Sequence, residues 1–279
     1  MSTPPTGQPD FVRDTAVTPE GDGVYSATCS PAWGIPAGGP NGGYLAALVL
    51  RAMLAEVADP ARHARSLTLH YLRAPKNSGV RIHVSVERSG RTLSTVSARL
   101  EQDGVPCVIA IGAFGGTFPS PAEFASPPPD VRPVSELRQT EDDPSYPPIA
   151  RRFEFWGAIG KRPFSGADKA DTGGWLLLRE PAPVDAPLLA LMVDAWLPAV
   201  FPVLTMPAFA PTIDLTIHFR SPDAAAVQAP GDPLLARYSS TTSRDGYFEE
   251  DAFVWAADGT LLAQSRQLAL LRPLAIPGA

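Results

Sequence analysis

The chain has 279 residues, of which 44% are hydrophobic and 19% charged, enough apolar content for a sizeable core and too little charge for a disordered chain. A formal net charge of −6 and a sequence pI near 5.2 provide no basic field, which argues against nucleic acid or an anionic membrane as partner. Two cysteines, Cys29 and Cys107, lack CxxC spacing, so neither a disulfide framework nor a zinc site is suggested, and a cytosolic compartment fits.

In chain order, MSTPPTGQPDFVRD has no apolar core of a signal peptide, and no later run reaches the ~18 apolar residues of a membrane span, so no membrane insertion is expected. An extended segment, GVYSATCSPAW, leads through a glycine-rich turn into a helix, NGGYLAALVLRAMLAEVADP, with Asn41 as N-cap and Asp59-Pro60 as stop. With Arg51 and Glu56 that helix reads as amphipathic. Four alternating segments follow as strands, RSLTLHYLRAP, VRIHVSVERSG, TLSTVSARLEQDG and VPCVIAIGAFG, with Asp103-Gly104 as a hairpin turn. Residues Phe118 to Pro148 are too proline-rich and polar for a core element and read as an inter-domain linker.

The same order then returns. RRFEFWGAIG and GGWLLLRE read as strands, DAPLLALMVDAWLPAVF as a helix, and TIDLTIHFRSP, PLLARYSSTTS, YFEEDAFVWAADG and TLLAQSRQLALLR as strands, with Asp258-Gly259 in the place of Asp103-Gly104. LTLHYLRAP from Leu67 to Pro75 is echoed by LTIHFRSP from Leu215 to Pro222. Two copies of this size mean a duplicated domain rather than a solenoid. The division expected is 10–118 and 149–274, joined by a linker at 119–148. One helix followed by antiparallel strands is an α+β grammar in which a sheet wraps a central apolar helix, and two such units in tandem make a double hotdog.

Three differences between the copies stand out. Asp194 is the single ionisable group between Leu188 and Phe201. A carboxylate in an apolar helix must be paired, neutral or facing a cavity. It is equally readable as a satisfied core acid, or as a residue on a narrow exposed stripe. Aligning the helices by eye sets Arg51 opposite it. In the echoed strand, alternation places Thr212, Asp214, Thr216 and His218 on one face and Ile213, Leu215, Ile217 and Phe219 on the other, and Thr212 replaces Ala64 of the first copy. In the last strand Gln267 falls near Gly112, either as part of a solvated polar face or as part of a site.

On GGPNGGYLAALVL and SLTLHYLRAP in the first half, and DAWLP, TIDLTIHFRSP and GTLLAQSRQLALLR in the second, the chain resembles the type II acyl-CoA thioesterases from about Val24 to Arg272. These are double hotdog enzymes that hydrolyse acyl-CoA to a free acid and coenzyme A. The resemblance implies an aspartate on the second helix, a threonine at the start of the next strand and a glutamine on the last strand, which here are Asp194, Thr212 and Gln267. The chain departs from the family where Asn41-Gly42-Gly43-Tyr44 stands in place of Gly-Gly-Gln at the first helix start, and where the second strand ends Phe219-Arg220-Ser221-Pro222.

Chemistry follows as an expectation. There is no GxSxG, and His63, His70, His83 and His218 lack the context of a triad base, so water is the expected nucleophile. Asp194 would act as general base or water orienter, with the Thr212 hydroxyl and Gln267 amide fixing the same water. Asn41, Gly42 and Gly43 are the candidate substrate-binding residues, the glycine N–H groups meeting the oxyanion, or else they only make a tight turn. No cofactor and no metal is called for. Rival readings are a non-catalytic binder of acyl thioesters or hydrophobic ligands, and a hydratase or dehydratase using His218 beside Asp214. Tandem fusion supplies an internal dimer and leaves further homo-oligomer formation optional.

Overall fold

The computed structural model describes residues 8–36, 38–141 and 143–274, so residues 1–7, read above for targeting, lie outside it. The first half runs α1 (Asp10–Asp14), β1 (Thr18–Gly21), β2 (Val24–Thr28), α2 (Gly42–Val57), β3 (His63–Tyr71), β4 (Gly79–Ser89), β5 (Leu93–Gln102) and β6 (Val105–Gly115). The second runs β7 (Phe153–Gly160), β8 (Ala170–Leu178), α3 (Ala186–Met192), β9 (Ala208–Phe209), β10 (Thr212–Phe219), α4 (Ala224–Val227), β11 (Leu234–Ser240), β12 (Ser243–Arg244), β13 (Tyr247–Trp255), β14 (Leu261–Leu270) and β15 (Arg272–Pro273). Asp103 and Gly104, with φ of 54° and 75°, make the expected two-residue turn between β5 and β6.

Thirteen strands form one antiparallel sheet in the order β1-β2-β4-β5-β6-β3-β10-β14-β13-β11-β8-β7, with β12 added against β13. Matching each strand with its copy, β3 with β10, β6 with β14, β5 with β13 and β4 with β11, makes the order symmetric about its middle. The echoed segments are that middle. β3 and β10 pair with Thr68 opposite Thr216, and the two hydroxyls lie 3.1 Å apart. A residue thus faces its own copy, so a pseudo-twofold axis runs through this pair, and the repeated motif is the seam between the halves. Register also supports one of the compared positions, because Leu67 faces Gly112 in β6 as Leu215 faces Gln267 in β14.

The helices differ from expectation in instructive ways. α2 is the central helix of the first half and is buried continuously from Gly43 to Leu50 and again at Ala52 and Met53. The second-half helix, expected to reach Phe201, stops at Met192. The Met192 carbonyl accepts the Tyr238 hydroxyl, and Asp194 N–H turns back to Leu191 O at 3.1 Å in a tighter turn. Pro198 supplies no N–H to continue the ladder and disfavours helix at Leu197. Asp194 therefore lies just past the helix rather than on it. Counted from the two N-caps, Asn41 and Asp185, it falls opposite buried Leu50, not Arg51.

Between Gly115 and Ala150 the described residues hold no strand or α-helix, only a 3-10 turn at Val134–Glu136. The segment is nevertheless tied down. The indole N–H groups of Trp175 and Trp255 each donate at 3.0 Å, to Arg132 O and Ser126 O, and Val131 packs on Leu235, Trp255 and Leu261. It crosses the outer face of the second half as a strap. Among the described residues no helix is long and apolar enough to cross a membrane.

Candidate active site

The site begins at the N-terminus of α2. Asn41 caps the helix, its side-chain oxygen accepting from Tyr44 N–H at 3.0 Å. Its amide nitrogen points the other way, across the boundary between halves, and donates to Asp194 Oδ2 at 2.9 Å and to the Asp194 backbone oxygen at 3.1 Å. The Gly43 N–H donates to the same Oδ2 at 2.8 Å. A carboxylate thus sits where a helix offers unpaired N–H groups and the positive end of its dipole.

Such closeness requires glycine. A Cβ on Gly43 would lie 2.8 Å from Ala190 O and 3.0 Å from Asp194 Cβ, so α2 and the end of α3 can touch only without it. Tyr71, at the end of β3, donates its hydroxyl to Gly42 O at 2.8 Å and walls the same corner. Burial beside the Asp194 charge holds its phenol well above its ordinary pKa.

Asp194 as a residue keeps partial solvent access, but its carboxyl group is densely surrounded by protein. That desolvation pushes its pKa from the usual 3.8 up to about 6, and the hydrogen bonds from Gly43 and Asn41, with the nearby Gln267 amide, pull against the rise. The group is ionised at neutral pH and more basic than an ordinary aspartate.

Thr212 reaches this corner through a β-bulge. The β10 register against β14 shifts between Thr212, opposite Ala269, and Asp214, opposite Leu268. β3 carries a matching shift against β6 between Ala64 and Ser66. The extra residue breaks the alternation, so Thr212 does not share the outer face of Asp214, Thr216 and His218 as the simple pattern predicts. It turns inward, and its hydroxyl donates to Gln267 Oε1 at 2.7 Å. Gln267 is 5% exposed, so it belongs to no solvated face. Its amide nitrogen donates to Glu250 Oε1 at 2.6 Å, and Glu250 Oε2 accepts the Ala199 N–H at 2.5 Å.

All six candidate residues therefore converge, with Asp194, Thr212 and Gln267 from the second half and Asn41, Gly42 and Gly43 from the first. Asn41 and Gly43 direct their N–H donors at Asp194; the Gly42 N–H, first of the helix, has no intrahelical acceptor. No histidine hydrogen-bonds Asp194, Thr212 or Gln267 among the described residues; His218 is exposed and His83 pairs with Glu101 at 3.0 Å. Sequence reading missed Glu250 and Tyr71. Glu250 was findable, since the alternation of YFEEDAFVW puts it in the inward register with Phe248, Ala252 and Val254. Tyr71 carried no signal beyond ending the echoed strand.

Comparison with known proteins bears on the fold and the family. No curated protein matches the chain. A candidate thioesterase II from Thermobifida fusca is similar at 28% identity and TM-score 0.80, over 95% of this chain and 98% of that one. A hot dog fold protein of unknown function from Alicyclobacillus acidocaldarius matches at 25% identity and TM-score 0.84 over the same shares. At 18% identity, the acyl-CoA thioesterase II TesB2 of Mycobacterium marinum shares the fold, with TM-score 0.74 over 95% of this chain and 99% of that one. Residues 30–115 match the acyl-CoA thioesterase N-terminal domain, and residues 128–271, just over half of the chain, match the acyl-CoA thioesterase C-terminal domain. With its doubled hotdog sheet meeting at the echoed strands, the chain belongs to the acyl-CoA thioesterase family.

Proposed function

We propose that this protein hydrolyses acyl-CoA thioesters to a free acid and coenzyme A, with water as nucleophile and Asp194 as its general base. The observation that carries the reading is the placement of the Asp194 carboxylate. It is fixed at Oδ2 by Gly43 and Asn41, raised in pKa to about 6, and joined by a Thr212–Gln267 pair. Water bound by these groups adds its oxygen to the thioester carbonyl carbon and passes a proton to Asp194. The carbon–sulfur bond then breaks, and the CoA thiolate takes up that proton. The Gly42 N–H at the start of α2 is the donor left for the oxyanion.

The symmetric strand order supports a division at 10–118, 119–148 and 149–274. Cys29 and Cys107 are free and buried, in keeping with a cytoplasmic enzyme. That no histidine hydrogen-bonds Asp194, Thr212 or Gln267 among the described residues weighs against the hydratase reading. Thiol release from a panel of acyl-CoAs of different chain length tests the proposal. Wild type should release thiol, and Asp194→Asn should be slower by about 100-fold or more. Equal rates for the two proteins would overturn it.

A further inference from the structure

Glu250 has no part in the hydrolysis just described, yet its position is unusual. It lies in β13 directly opposite Gln267, is 3% exposed, and pairs with no cationic side chain among the described residues. Burying a carboxylate without a cation is costly unless its oxygens are matched by donors. Here both are matched, Oε1 by the Gln267 amide at 2.6 Å and Oε2 by the Ala199 N–H at 2.5 Å. These two donors bear on the site from different sides. One belongs to the side chain that accepts the Thr212 hydroxyl. The other belongs to the segment that leads out of Asp194.

An amide side chain can occupy its place in two orientations, and only the chemistry of its neighbours chooses between them. A carboxylate accepts and does not donate. Facing ionised Glu250, the form present above about pH 7, the Gln267 nitrogen must point to the carboxylate and its oxygen must point to Thr212; the flipped amide would set oxygen against oxygen. We propose that Glu250 is a positioning residue for the reaction, locking Gln267 in the orientation that engages Thr212 and pinning the Ala199 end of the turn that holds Asp194. The inference rests on the hydrolytic reading of the site and goes further by naming what orders it.

Glu250→Gln keeps the shape and removes the enforced polarity. Because one misplaced group costs roughly 100-fold, kcat should fall by about 10- to 100-fold with KM changed less than about 3-fold. The loss should nearly vanish in a Gln267→Ala background, since a residue acting through Gln267 has nothing left to orient, whereas a merely structural role gives the same loss in both backgrounds. Wild-type kcat in Glu250→Gln, or equal losses in the two backgrounds, overturns the inference. Asp194→Asn run beside them separates the failures. If that variant hydrolyses normally, the reading of the whole site fails; if it is inactive while Glu250→Gln is normal, only the role of Glu250 fails.

A second measurement does not need Glu250 replaced. Burial, with the nearby charges of Asp194 and Asp251 adding, pushes Glu250 up to about 7, and Tyr238 is the other titratable group it faces. Asp194→Asn removes the neighbouring titration and, by deleting a nearby negative charge, also lowers the pKa of Glu250, so the side-chain amide nitrogen resonance of Gln267 should move as Glu250 titrates within about pH 4 to 8. A resonance that stays fixed across that range refutes the contact.

Discussion

Asp194 burdens the fold at neutral pH, and this can be measured apart from turnover. Its folded pKa of about 6 stands above the usual 3.8 because burial opposes the charge. An acid with a raised folded pKa binds its proton more tightly in the folded state, so stability declines as pH rises from about 4 to about 6 and stays at the lower level beyond. A shift of roughly two units corresponds to about 3 kcal/mol, an upper figure because the residue keeps some solvent access. Asp194→Asn removes the charge and little else. Gly43 and Asn41 both donate to the single oxygen Oδ2, and one amide oxygen can accept both. The variant should therefore be nearly as stable as wild type at pH 4 and more stable by up to about 3 kcal/mol at pH 7.5. Relief of Glu250, whose pKa the Asp194 charge raises, acts in the same direction. Urea unfolding at the two pH values reads the difference. A variant less stable than wild type at pH 7.5 would refute the argument, because the carboxylate would then be held by net favourable contacts.

Other consequences concern the groups around it. Asn41→Asp keeps a competent N-cap but sets a second carboxylate beside Asp194 Oδ2 in place of a donor, so the acidic limb of kcat/KM should move up by about one pH unit or more; an unchanged profile contradicts the contact. Gly43→Ala should cost about 1–3 kcal/mol in denaturant melts and lower kcat as well, since its Cβ has no room against Ala190 O and Asp194. Thr212→Val preserves shape but leaves the buried Gln267 Oε1 without its donor, so kcat should fall by about 10-fold and stability by about 1–3 kcal/mol, whereas Thr212→Ser, which keeps the hydroxyl, should retain most of both.

Most strand segments in this chain were readable because alternation and turn chemistry act locally, whereas their order in the sheet was not. The β5–β6 hairpin follows from Asp103-Gly104, and β3 and β10 follow from a repeated pattern whose period suits one buried face. α1 and β1 escaped notice, being five and four residues long with little periodicity to detect. The end of α3 was misread for a tertiary reason. Apolar periodicity continues through DAWLP; Pro198 gives a local stop only near Leu197, and the earlier end at Met192 goes with a hydroxyl from Tyr238, 46 residues away in sequence, on the Met192 carbonyl. The proline-rich strap was recognised as irregular, but its attachment depends on two indoles in β8 and β13 whose outward direction no local pattern fixes.

The site was legible where the copies differ and hidden where a difference is geometric. Comparing halves picked out Thr212 and Gln267, yet the same alternation that defined β10 put Thr212 on the wrong face, because a bulge is one residue of irregularity that pattern averages away. The bulge exists in both halves, between Ala64 and Ser66 and between Thr212 and Asp214. It therefore belongs to the duplicated fold, and the site uses it by placing a hydroxyl where the first half has a methyl group. Helix length is the converse case. α2 runs sixteen residues and buries Leu50, whereas α3 runs seven and turns away, so the position equivalent to Leu50 becomes a carboxylate aimed at the other copy's helix start. Neither half holds the arrangement alone, since the acid comes from one and its donors from the other. Fusion of the two copies allows the helix in one half to be shortened while the other keeps the long helix whose N-terminus receives the charge.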